Sequence, residues 1–209
     1  MDKIFVLALL IFLQAGTAFA SVGTNIDNGV NYEMSYPIVY TNDKAVQDKI
    51  NQDIYRYIAA FRDDYNAGKF YQGRFLYELK FENDDYISLT ITDTRYHMGA
   101  AHEGFHVYGV VYDKHTGRKL PLSHFLKITL ADLKWFYGSH LYNRSGNKIK
   151  ASTINLLEKV GVSDDYYLLG NGGIALIYQP HELGSFSDGA TTIRLTQEEV
   201  EYFNRKNRT

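Results

Sequence analysis

No cysteine occurs anywhere in the 209 residues. Its absence excludes disulfide cross-links, thiol nucleophiles and every zinc site built on thiolates. An excess of charge of one sign is also missing: the formal net charge is −2, which offers no basic field to nucleic acid or to an anionic membrane surface. A second long apolar run is missing, so no spanning helix is expected after the first residues. The chain has no G-x-S-x-G elbow, no phosphate-binding loop and no internal repeat. No cofactor is expected. A chain without cross-links must stand on its core, and this length suits one medium domain or two small lobes.

The first twenty residues, MDKIFVLALLIFLQAGTAFA, do have a pattern. One lysine precedes an apolar run from Ile4 to Leu13, and small residues end at Ala18-Phe19-Ala20. That order is a signal peptide with an A-x-A cleavage site. Residues 1–20 are expected to be removed, which leaves residues 21–209 exported, periplasmic or extracellular, with no membrane anchor after cleavage.

The remainder reads as α+β, with antiparallel sheet(s) covered on one face by helices. Residues 21–29 are polar and read as a loose leader. Asn31 to Tyr40 reads as a strand, placed at a sheet edge by Pro37. Asp43 can cap a helix in which Val46, Ile50, Ile54, Tyr57, Ile58 and Phe61 recur three and four apart, ending before Gly68. This strand and helix make a small N-terminal region, 21–72. Residues 73–209 form a second region, packed with the first as one compact unit. It opens with a three-strand meander, in which Phe75, Tyr77, Leu79 and Phe81 share a face, as do Ile87, Leu89 and Ile91. Two helical pieces follow, then a hairpin turning at Asn171-Gly172-Gly173, a short strand over TTIRL and a closing helix capped by Thr196.

Within the meander, HEGFH at His102–His106 spells H-E-x-x-H, the zinc-protease signature. That chemistry needs both histidines on one helical face. Here Gly104 interrupts the motif and a β-branched, aromatic run follows it, so the segment reads as a strand. In a strand the two histidines stand about 13 Å apart at ~3.3 Å per residue. Tyr112 occupies the place of a third histidine. No metal site is expected, and a zinc protease is not the preferred reading.

Two stretches carry a resemblance. The first, YHMGAAHEGFHVYGVVYDKHTGRKLPLSHFL, has Gly99, Ala101 and His102, then Asp113, Thr116 and Gly117 at a turn, then Leu120, Leu122 and Phe125. The second, GGIALIYQPHELGSFSDGATTIRL, has Pro180, Glu182, Phe186 and Gly189. Together they resemble the RsiV-like extracellular domain family (domain of unknown function 3298), preceded by its usual small companion domain. Ala100, His181 and Gly184-Ser185 depart from that family's pattern. The resemblance implies an α+β fold and a non-catalytic binding role at the cell envelope, since RsiV-like proteins bind lysozyme. A sigma-binding part and a transmembrane helix are not found in this sequence, so only the extracellular role is expected.

The expected partners are lysozyme-type hydrolases or peptidoglycan. The candidate surface consists of the loops Tyr96 to Phe105 and Gln179 to Gly189, because binding residues sit on loops held by a rigid sheet. From these and the adjoining strand the candidate binding residues are Tyr96, Gly99, Ala101, His102, Tyr178, Pro180, Glu182 and Phe186. His102 and Glu182 also have a structural reading, and it is the preferred one, since a histidine closing a Gly-Ala turn can simply hydrogen-bond backbone. The alternative is a wall-glycan hydrolase that draws acid and base groups from His97, His102, Glu103, His106 and His181.

Overall fold

The computed structural model describes residues 21–151 and 154–208. The signal peptide read in residues 1–20 lies outside them. Among the described residues nine strands form two sheets, and four helices pack against them, an α+β architecture.

The first sheet has the order β1-β2-β3-β4-β5, with β1 at Ser21–Asn28, β2 at Tyr32–Tyr40, β3 at Gln72–Glu82, β4 at Tyr86–Tyr96 and β5 at Gly104–Asp113. β3 to β5 are the expected meander. Residues 21–28 correct the expectation of a loose leader: they pair with β2 in unbroken antiparallel register, from Ser21↔Tyr40 to Asn28↔Glu33. Few apolar residues mark that strand, so its pairing is carried by backbone hydrogen bonds. β2 meets β3 in parallel only over Tyr32–Met34. β2 is thus not the edge strand expected, since β1 lies outside it, but Pro37 falls beyond the stretch paired with β3, where β2 has β1 as its single neighbour.

Helix α1, Lys44–Asn66, begins at Asp43, whose carboxylate accepts from the Ala45 and Val46 N–H groups. Its buried face, Val46, Ile50, Ile54, Ile58 and Phe61, packs on Phe75, Ile87, Leu89, Ile91 and Val110 of the sheet. Each fully buried aliphatic there contributes about 2 kcal/mol. One expected face assignment fails. A β-bulge between Leu79 and Phe81 adds a residue to β3, so that Phe81 stands opposite Ser88 rather than on the Leu89 face. Phe81 joins the second core and Leu79 is left exposed.

The second sheet has the order β6-β9-β8-β7, with β6 at Leu141–Tyr142, β7 at Tyr166–Leu168, β8 at Ile174–Tyr178 and β9 at Thr191–Leu195. The helices α2 (Leu130–Phe136), α3 (Ile154–Val160) and α4 (Gln197–Lys206) cover one of its faces. Leu133, Phe136, Leu157, Val200 and Phe203 pack there on Tyr166, Leu176 and Ile193. Capping boxes at Thr129 and Thr196 start α2 and α4.

β7 docks on the meander face that α1 does not cover. At Gly109 the backbones approach so closely that a Cβ would lie 2.7 Å from the Tyr166 carbonyl carbon. The Gly109 N–H donates to Asp165 Oδ1 at 3.0 Å, and the Leu168 N–H donates to the buried Ser88 hydroxyl at 2.9 Å. Buried polar groups are thus paired across the junction. Beside β7, where Tyr167 forms part of the wall, the helix-free faces of the two sheets border an open cleft.

Candidate functional site

Both candidate loops leave the sheets at the same end. The first turns at His97–Ala100, where the Ala100 N–H donates to the His97 carbonyl and Gly99 adopts φ +84°. The second is fixed by side chains. The Gln179 N–H donates to Glu182 Oε2 at 2.6 Å, and the Glu182 N–H donates to the Gln179 carbonyl. The Gln179 side chain meanwhile accepts from the Val107 N–H and donates to the Val107 carbonyl, each at 2.9 Å. One amide side chain thereby continues the hydrogen-bond pattern of β5 and pins the second loop beside the first. His181 follows with φ +70°, a left-handed conformation that a histidine holds only when its surroundings fix it. Ser185 and Asp188 then close a short capped turn.

The loops meet at Phe186. His102 stacks on its ring with centroids 4.0 Å apart and an interplanar angle of 28°. His181 lies at 5.6 Å and 27°, and Phe105 at 6.0 Å. The result is a partly exposed patch of four rings from two loops, centred on a half-buried phenylalanine. Aromatic rings of this kind supply contact area with few rotatable bonds.

The other candidate residues fall into three groups. Gly99 and Ala101 lie on the exposed tip of the first loop. Tyr96 is half-buried and lines a cleft of about 670 Å³ at the end of the first sheet, together with Tyr32, Tyr71, Arg74 and Glu103. Pro180 and Glu182 are half-buried, and the Glu182 carboxylate is engaged in the turn, as its structural reading anticipates. Tyr178 requires a correction. Its ring is 1% exposed, packs in the second core, and its hydroxyl donates to the Gly161 carbonyl at 3.1 Å. Burial raises the pKa of this phenol above its ordinary value, with the Glu182 charge adding to the rise. It is a scaffold residue rather than a contact residue. The residue that sequence reasoning did not single out is Gln179, since nothing in Tyr-Gln-Pro marks an amide that will pair with a strand elsewhere in the chain.

Of the acid–base cluster of the hydrolase alternative, only His102 and His181 come together, both on the Phe186 ring. His102 stacks on Phe186, and Glu103 is ion-paired with Arg74. His106 lies on β5 against Tyr108 at 4.3 Å, with its Nε2 3.5 Å from Asp165. Residues 102–106 run through a loop into a strand, so the two histidines of HEGFH do not share a helical turn. Among the described residues no group of three His, Asp or Glu side chains is gathered as a metal site would need.

No family model matches the chain, and no curated protein matches it. Solved structures do. One is a DUF3298 family member from Bacteroides fragilis, with a TM-score of 0.60 at 13% identity, covering 90% of this chain and 94% of that one. Another is a DUF3298 family protein from Pseudomonas aeruginosa, with a TM-score of 0.58 at 9% identity, covering 88% and 92%. At such identities the likeness is one of architecture, and it extends over both sheets. The chain is built on the fold of the DUF3298 family.

Proposed function

We propose that the protein is a non-catalytic binding protein exported to the cell envelope, and that its ligand is a lysozyme-type hydrolase. The observation that carries this reading is the convergence of the two loops on Phe186, which yields one contiguous patch from His102, Phe105, His181 and Phe186. Interface hot spots are of this type: an aromatic anchor with its neighbours held in place by the scaffold. The DUF3298 fold and the resemblance to RsiV-like domains support the choice of partner, and the signal-peptide pattern supports the location. Co-elution of the purified protein with a c-type lysozyme on size exclusion tests the reading. A complex lost in the Phe186→Ala variant is the expected result, and separate elution at high micromolar concentrations of both proteins would contradict it.

A further inference from the structure

The helix-free faces of the two sheets border a cleft of about 160 Å³. Lys80 of β3, Arg194 of β9 and Arg144 of the 143–147 turn all line it. Each of the three cations is held by an aromatic face: Lys80 by Tyr167 at 5.2 Å, Arg144 by Phe105 at 5.5 Å and Arg194 by Tyr142 at 4.6 Å. Only Lys80 also has a carboxylate, that of Glu78. Arg144 and Arg194 form no ion pair among the described residues, whereas Arg62 and Arg95, on the α1 side of the sheet, both do.

An aromatic face orients a cation without cancelling its charge. Two guanidinium forks are therefore positioned at one cleft and remain uncompensated. Arg194 uses its Nε–H on the Thr192 hydroxyl at 3.2 Å, which leaves its terminal N–H groups free to donate. Planar forks of this kind match carboxylate or phosphate oxygens in pairs. The remaining wall combines the Thr90, Thr92 and Asn143 side chains with apolar Val107, Ile177 and Ala190, and its one carboxylate, Glu78, is paired with Lys80. Past Asn143 and Arg144 the cleft continues into a larger space of about 480 Å³ that reaches Phe186.

We propose that this inter-sheet cleft is a second binding site, adjoining the loop patch at Phe105, and that it takes an acidic saccharide, a sugar bearing a carboxylate or a phosphate. Arg144 and Arg194 hold the anionic group, and the threonine and asparagine side chains meet the sugar hydroxyls. The site does not depend on the lysozyme reading.

The test is a titration of the purified protein, followed by calorimetry in low salt, with four probes: N-acetylmuramic acid, glucose 6-phosphate, inorganic phosphate and N-acetylglucosamine. The charged sugar that binds more tightly identifies the anion as carboxylate or phosphate. The neutral sugar should bind at least about tenfold more weakly, and Arg194→Gln or Arg144→Gln should each weaken the charged sugar about tenfold. Melting curves of both variants should match the parent, and Arg→Lys at the same position, which keeps the charge but removes the planar fork, serves in place of any variant that does not fold. His102→Ala, at a ring of the loop patch that lines neither the cleft nor its continuation, should leave sugar binding intact, which separates this site from the loop patch. Equal binding of the neutral and charged sugars would overturn the proposal, as would unchanged binding in the Arg144→Gln Arg194→Gln double variant or the absence of binding by either charged sugar. Inorganic phosphate binding as tightly as the sugar phosphate would overturn the saccharide assignment.

Discussion

The imidazole of His102 lies on the ring of Phe186, with centroids 4.0 Å apart. This contact joins two loops that are remote in sequence and makes one surface of them. Stacked ring pairs contribute about 1 kcal/mol beyond their buried area. A double-mutant cycle of His102→Ala and Phe186→Ala, read by urea denaturation, should therefore return a coupling of about 1 kcal/mol. A coupling of zero would mean that the loops do not support one another.

Gln179 ties the second loop to β5, just past the first loop. Its side chain satisfies both backbone groups of Val107, so Gln179→Ala leaves a half-buried N–H and C=O without these partners. The expected loss is about 1–2 kcal/mol of stability. Amide hydrogen exchange at Val107 should accelerate, while exchange along α1 should not change.

Gly109 tests the docking of the two sheets. A methyl group there would meet the Tyr166 backbone, which cannot swing aside as a side chain could. Gly109→Ala should cost about 3 kcal/mol, measured as a lowered urea midpoint. Gly104→Ala, five residues earlier on β5 with nothing within 4 Å of its would-be Cβ, is the control and should change the midpoint little.

The Asp132 carboxylate is buried at the start of α2. Burial alone would raise its pKa. The Lys206 ammonium, the Thr129 hydroxyl and N–H, and the Asn207 amide all donate to it, and together they hold it well below the usual carboxylate range. Unfolded, the same group titrates near 3.9. A lowered folded pKa means that its stabilisation is present above about pH 4 and is lost as pH falls from there through the folded value. Asp132→Asn should therefore cost about 2 kcal/mol at pH 7, and the gap to the parent should narrow between about pH 4 and pH 2. A gap that stays constant with pH would exclude the charge as the source.

Much of the fold was legible where side-chain periodicity reports burial. The 3–4 spacing from Val46 to Phe61 and the alternation of Ile87, Leu89 and Ile91 each identify a core face. The D-x-x-T-G turn was legible for a different reason: Asp113 accepts from the His115 and Thr116 N–H groups, which is local chemistry that the sequence states directly. β1 was not legible, because its pairing uses backbone groups that every residue carries. The bulge before Phe81 was not legible either, since one inserted residue changes the face without changing the alternation. In the site, the two loops were legible as candidate surface, but their meeting at Phe186 was not, since it rests on how the second sheet packs on the first, and the burial of Tyr178 depends on the helices that cover β8. Lys80, Arg144 and Arg194 are scattered in sequence, and only the packing of one sheet against the other brings them to one cleft.

The central claim is that the patch around Phe186 binds a lysozyme-type hydrolase. Calorimetric titration of a c-type lysozyme into the purified protein, at moderate salt, tests it most directly. Saturable one-to-one binding, weakened at least about tenfold by Phe186→Ala, is the predicted result. Absence of binding, or binding that Phe186→Ala leaves unchanged, would contradict it.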